Sequence, residues 1–212
     1  MKRRTQLTGL LLLTLPALWA GCGRKAGHAA VAPGQTVLAL GDSVTFGTGA
    51  APGEDWPTLL AAATGWQVVN AGVPGDTAQA AQARLPALLA QHRPALVIIE
   101  IGGNDFLRRR PAAAVKSDLR SLLQSALAVG AQVVLVAVPA LSLMAAVAGR
   151  PSDAALYAEL AEEEGVALVP EVLSDVLGDP ALRADPIHPN AAGYRQMARG
   201  LHQRLQALGV AP

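Results

Sequence analysis

The chain has one cysteine, Cys22. A lone thiol excludes an internal disulfide, which leaves packing and hydrogen bonding to hold the fold. Aromatic residues are scarce at 3%, so the interior must be built from Ala, Val, Leu and Ile, the bulk of a hydrophobic fraction of 51%. Charged residues reach only 16%, yet with half of the chain apolar that scarcity does not signal disorder. Internal repeats, collagen-like triplets and heptads are all missing. What is present is a chain of 212 residues, enough for one domain with a substantial core.

The N-terminus stands apart from that domain. "MKRR" gives a positive start, "LTGLLLLTLPALWA" (7–20) an apolar stretch, and "AGC" (20–22) a small-residue end. This is the pattern of a secretory signal peptide, too short to span a bilayer comfortably as a mature helix. "LWAGC" resembles the lipobox of bacterial lipoproteins, with Trp19 where leucine is usual and Cys22 as the residue that would carry lipid. The expected division is a signal peptide of lipoprotein type over 1–21, a lipid-anchored tether over 22–35 and a folded domain over 36–210. Removing Lys2, Arg3 and Arg4 turns the formal charge from +1 to −2, with 14 cationic against 16 acidic residues. No nucleic-acid footprint survives that change.

Beyond the tether, short apolar runs alternate with longer helical patterns. Strands are expected at 36–40, 66–70, 95–101, 132–138 and 166–170. Helices are expected at 56–64, at 76–92 with Asp76 or Thr77 as cap, at 114–130, at 152–165 with Ser152 as cap, and at 190–208. Five strands that do not alternate apolar with polar imply a parallel sheet covered on both faces. The expected fold is a three-layer α/β/α sandwich with a five-stranded, mostly parallel, flavodoxin-like sheet.

In such sheets ligand sites gather beyond the carboxyl ends of the strands. Three unusual stretches fall at those ends: "GDS" (41–43), "NAGVPGDT" (70–77) and "IGGNDF" (101–106). A fourth, "DPIHPN" (185–190), precedes the last helix. Each alone reads as an ordinary turn or cap; their order and shared edge make them a set.

In that order they resemble the SGNH hydrolases, also called the GDSL esterase/lipase family. The serine, glycine, asparagine and histidine that name the family match Ser43, a glycine of the second block, Asn104 and His188. The resemblance spans about 36–208. Within the family it is to exported bacterial thioesterases that also act as arylesterases and lysophospholipases. It implies a serine ester hydrolase that needs neither metal nor organic cofactor.

The chemistry asks for the same residues. A serine hydroxyl is a poor nucleophile until a base takes its proton. His188 is the histidine placed at the expected edge; His28 lies in the tether, His92 at a helix end and His202 in the closing helix. Asp185, three residues before His188, is within reach to hold the imidazole and steady its cation, and Pro186 and Pro189 stiffen that loop. An oxyanion needs fixed donors: the Ser43 amide, if a helix begins there, the amide of a glycine, and the side chain of Asn104. The "GDT" match assigns the glycine to Gly75, with Gly72 as the fallback. Asp42 and Asp105 read as caps that order their own loops. "LRRRP" (107–111) reads as a solvated rim, or else as a patch for anionic substrates. "VPALSLMAAVAG" (138–149) is too apolar for an ordinary loop, which makes Leu141, Leu143 and Met144 candidates for an acyl groove.

The resulting expectation is an exported serine esterase, anchored to a membrane through lipid on Cys22 and otherwise monomeric, acting on small-molecule or lipid esters and thioesters through an acyl-enzyme. Two other readings remain. One is an acetylesterase acting on acetylated cell-envelope carbohydrates. The other is a non-catalytic envelope-binding protein.

Overall fold

The structure is a computed structural model and describes residues 28–140 and 151–212. Cys22, Leu141, Leu143 and Met144 lie outside the described residues. Five strands form one wholly parallel sheet in the order β2-β1-β3-β4-β5. They are β1 (Thr36–Gly41), β2 (Gln67–Gly72), β3 (Leu96–Glu100), β4 (Gln132–Val136) and β5 (Ala167–Val169). This is the flavodoxin-like strand order, and its switch point lies between β1 and β3. The interior of β1 and all of β3 are buried, as a sheet covered on both faces requires.

Eight helices are described: α1 (Ser43–Phe46), α2 (Trp56–Thr64), α3 (Ala78–His92), α4 (Gly103–Leu107), α5 (Ala112–Ala128), α6 (Ala155–Glu164), α7 (Val172–Gly178) and α8 (Ala191–Ala207). A short 3₁₀ turn covers Pro180–Leu182. Helix α5 packs against α3 and α6, and α8 against α2 and α7; these groups form the two outer layers. Leu85, Leu119, Leu122 and Leu160 are fully buried from the first group, and Leu60, Val176, Met197 and Leu201 from the second. Burial of each such side chain contributes about 1.5–3 kcal/mol.

Most element boundaries fall within two residues of the sequence reading. Helix α2 coincides with it, opening on Asp55 and carrying Pro57 in its first turn. Thr77 rather than Asp76 caps α3. Ser152 does not cap α6. That helix starts at Ala155, after Ala154, without a side-chain cap, because Pro139 and Asp153 pair across an antiparallel bridge that keeps the segment extended. The folded part begins before residue 36, the start expected from the sequence. Val31 is buried and donates to the Val210 carbonyl, Trp66 donates its indole N–H to Val31, and the Gln132 amide brackets the Ala29 backbone. Residues 29–35 therefore belong to the fold.

Candidate active site

Three loops at the carboxyl edge and one before α8 converge. The first carries Ser43. Asp42 ends the β1 turn as the cap of α1, its Oδ1 accepting the Val44 amide at 3.0 Å. A helix thus begins at Ser43. The Ser43 amide meets no acceptor among the described residues, and the side chain is half-buried.

His188 comes from a turn wound around Asp185. Asp185 Oδ1 accepts the amides of Ile187 and His188, each at 2.9 Å. Its Oδ2 faces His188 Nδ1 at 2.7 Å. The Ala184 amide donates to the His188 carbonyl, and Asn190, the cap of α8, ties the loop to Ala181. With Nδ1 donating to Asp185, Nε2 is left to accept the Ser43 hydroxyl, and the separation is 2.9 Å. Partial burial pushes the Asp185 carboxyl up, but hydrogen bonds from the His188 ring and the two amides outweigh it and hold the carboxyl below its usual value.

The second loop supplies the glycines. The Gly72 amide is taken by Asn70 Oδ1 at 2.9 Å, so the fallback donor is already satisfied. Gly72 serves a close approach instead: a Cβ there would lie 2.2 Å from the Phe46 amide nitrogen. The Gly75 amide meets no acceptor among the described residues, and its carbonyl accepts from Arg108 Nη2 at 3.0 Å.

Asn104 stands at the start of α4. Its Nδ2 donates to the Asp76 carbonyl at 2.9 Å and faces Asp42 Oδ2 at 3.3 Å. One amide hydrogen is thus anchored on the glycine loop, and the second is held only weakly. Asp105 does not cap its own loop. Its Oδ2 reaches across to the Ala78 amide, the first of α3, and its Oδ1 pairs with Arg110. "LRRRP" is accordingly not a uniform rim: Arg108 and Arg109 are exposed and Arg110 is half-buried. Arg110 is spent on Asp105 and Asp118, and Arg108 on Gly75.

Two contributors were missed by the sequence reading. Arg84 on α3 donates to Asp76 Oδ2, to the Ala71 carbonyl and to the Gly41 carbonyl, at 2.7, 2.6 and 2.8 Å. It thereby clamps the ends of β1 and β2 to the glycine loop. Glu100, the last residue of β3, is buried against Thr45; a carboxylate inside the most apolar strand was the signal available. A cavity of about 20 Å³ adjoins Ser43 and His188, with Glu100, Val138, Leu173 and Ile187 in its wall. That is room for a water molecule.

A hydroxyl, an imidazole and a carboxylate in hydrogen-bond sequence, beside free amides, is an arrangement for acyl transfer. Comparison with known proteins agrees. The model of the GDSL-like lipase/acylhydrolase family matches residues 39–196. The chain belongs to this family. It is 37% identical over 185 residues to Esterase TesA of Pseudomonas aeruginosa, covering 84% of this chain and 90% of that one. It is 38% identical over 184 residues to the thioesterase 1/protease 1/lysophospholipase L1 of Escherichia coli, covering 84% and 86%. Among solved structures, that of TesA superposes with a TM-score of 0.72 at 37% identity, covering 82% of this chain and 99% of that chain. The esterase EstA from Pseudoalteromonas sp., inhibited by monoethylphosphonate, gives 0.70 at 26% identity, covering 82% and 97%. This GDSL protein is a serine ester hydrolase.

Proposed function

We propose that this hydrolase is an exported esterase that cleaves carboxylic esters and thioesters, including those of lysophospholipid type, through an acyl-enzyme on Ser43. The observation that carries the reading is the continuous line Asp185–His188–Ser43, at 2.7 and 2.9 Å. His188 Nε2 removes the Ser43 proton as Oγ attacks the carbonyl carbon. The carbonyl oxygen takes the negative charge and is met by the amides of Ser43 and Gly75 and by Asn104 Nδ2. His188 then returns the proton to the departing alcohol or thiol, and the acyl group stays on Ser43. Water, deprotonated by the same imidazole, releases the acid and restores the serine. The relatives named for esterase, thioesterase and lysophospholipase activity support this substrate range.

The acyl group would lie toward Leu141, Leu143 and Met144. Val138, which lines the cavity beside Ser43, leads into that segment. Export and anchoring belong to the same proposal and rest on the sequence up to Cys22. Cys22→Ser should move the expressed protein from the membrane to the soluble fraction, and unchanged partition would reject the anchor. The catalytic reading is tested with p-nitrophenyl esters of graded length, an acyl-CoA and a lysophospholipid. Parent should turn over all three classes, and Ser43→Ala none. Turnover confined to acetyl esters would favour the acetylesterase reading, and equal turnover by Ser43→Ala would reject the mechanism.

A further inference from the structure

Glu100 ends a strand otherwise made of Leu, Val and Ile, and it is 1% exposed. Its Oε2 accepts the Thr45 hydroxyl at 2.7 Å. Its Oε1 has no hydrogen-bond partner among the described residues, and the residue lines the cavity beside Ser43. No cation among the described residues pairs with it. Arg84, the basic residue at the ends of β1 and β2, spends its donors on Asp76, Ala71 and Gly41. Arg110 is spent on Asp105 and Asp118.

The surrounding groups are acidic or already committed. Asp42, from the turn after β1, is a second buried carboxyl. From α6, Tyr157 gives its hydroxyl to the Ile101 carbonyl, and from α8, Tyr194 gives its own to Thr48. Asp105 on α4 is paired with Arg110, and His188 lies across the cavity, bonded to Ser43 and Asp185. An ionised carboxylate here would be buried, half-unpartnered and beside another anion. Such a group is strongly disfavoured, and taking up a proton relieves it. A neutral acid costs less: Oε2 still accepts from Thr45, and the hydroxyl on Oε1 can donate to a water in the adjoining cavity.

We propose that Glu100 is a positioning residue for the nucleophile, a neutral carboxylic acid that holds Thr45, and with it the single turn bearing Ser43, in register with His188. The proposal rests on Ser43 being the nucleophile. Thr45 lies two residues beyond Ser43 in a helix of four residues, too short to hold itself by its own hydrogen bonds. Burial first, and the charge of Asp42 second, push the Glu100 carboxyl well above the usual carboxylate range, in keeping with this assignment. A neutral group also spares the oxyanion a further negative charge nearby.

The test uses the full chain, three single variants and one double variant. Glu100→Gln keeps both the acceptor for Thr45 and a donor toward the cavity, so its kcat on p-nitrophenyl butyrate should stay within about threefold of parent. Glu100→Leu loses the bond, and kcat should fall about tenfold to a hundredfold with KM nearly constant, the usual penalty for a small misplacement of a reacting group. Thr45→Val should reproduce that fall, and the Leu/Val double variant should be no worse than the poorer single one. At pH 7 the infrared spectrum of parent should contain a protonated-carboxyl band that Glu100→Gln lacks. This last readout needs no turnover, so it separates failure of the proposal from failure of the esterase reading. The proposal is overturned by a Gln variant as impaired as the Leu variant, by parental kcat in Thr45→Val, or by the absence of the infrared band. If Glu100→Leu does not fold, the Gln and Val variants and the spectrum still decide.

Discussion

Replacing Asp42 by Asn should stabilise the protein, and the gain should appear only as the pH rises. Asp42 is buried, with Oδ1 on the Val44 amide and Oδ2 facing Asn104. Burial is the largest influence on its carboxyl. The Val44 bond and His188 oppose burial while Asp76 and Asp105 reinforce it, and the result is a rise from 3.8 to about 6. Between those values the folded state holds a proton that the unfolded chain has released. Stability therefore falls as pH rises through that window and stays lower above it. A shift of roughly two units corresponds to about 3 kcal/mol once Asp42 is fully ionised. Asn keeps the oxygen that caps α1 but turns an amide toward the Asn104 amide, which costs about 1 kcal/mol. The expected outcome above pH 7 is a net gain of about 2 kcal/mol, and near pH 4 no gain or a small loss. Urea unfolding of parent and Asp42→Asn at intervals from pH 4 to pH 8 measures the difference directly. A difference that does not vary with pH, or that grows more unfavourable to Asn as pH rises, would refute the reasoning.

Asn104→Ala should lower kcat by about a hundred- to a thousandfold, the usual cost of one oxyanion donor, while KM moves little; steady-state kinetics on a short-chain ester would show it. Asp185→Asn should lower kcat by removing the acceptor that fixes the His188 tautomer. Combined with Ser43→Ala it should add nothing, because parts of one mechanism are not additive. The Asp185 carboxyl is held below its usual value, so its support of His188 is present above that lowered value and is lost only as pH falls through it. Gly102→Ala should destabilise by about 2–4 kcal/mol, through a strained backbone and a lost buried hydrogen bond. Gly102 has φ +131°, and a Cβ would lie 2.2 Å from the Tyr157 hydroxyl that holds the Ile101 carbonyl. Urea denaturation checks this, and kcat should fall as well, since Asn104 follows two residues later.

The sheet was legible because each strand is a short apolar run, and β1, β2 and β3 carry Gly or Asn at or just past their carboxyl ends, where the site lies. Asp42 and Thr77 were readable as caps because an N-cap needs only a local acceptor. What escaped the sequence was non-local. Asp105 looks like a cap of its own loop, yet it serves the first amide of α3, 27 positions away. Ser152 has the right chemistry for a cap, but the bridge between its neighbour Asp153 and the distant Pro139 keeps it outside the helix. Helices α1 and α4 are too short to show a period. Arg84 sits in a helix and reads as solvated until the carbonyls of Gly41 and Ala71 are brought beneath it. Residues 29–35 have the composition of a linker, and only the placement of Trp66 and Gln132 reveals that they are docked. The "GDT" match preferred Gly75 to Gly72 in the sequence, and the structure adds that Asn70 occupies the Gly72 amide.

The account stands on Ser43 as the group that becomes acylated. The most direct measurement is intact-protein and peptide mass spectrometry after exposure to an alkyl phosphonate ester, the class of inhibitor captured on EstA. Parent should gain one phosphonyl group, located on the peptide containing Ser43, with loss of esterase activity in step with labelling. Ser43→Ala should gain none, and His188→Ala should label far more slowly. A full-stoichiometry adduct on another residue, or an inhibited enzyme with Ser43 unmodified, would contradict the central claim.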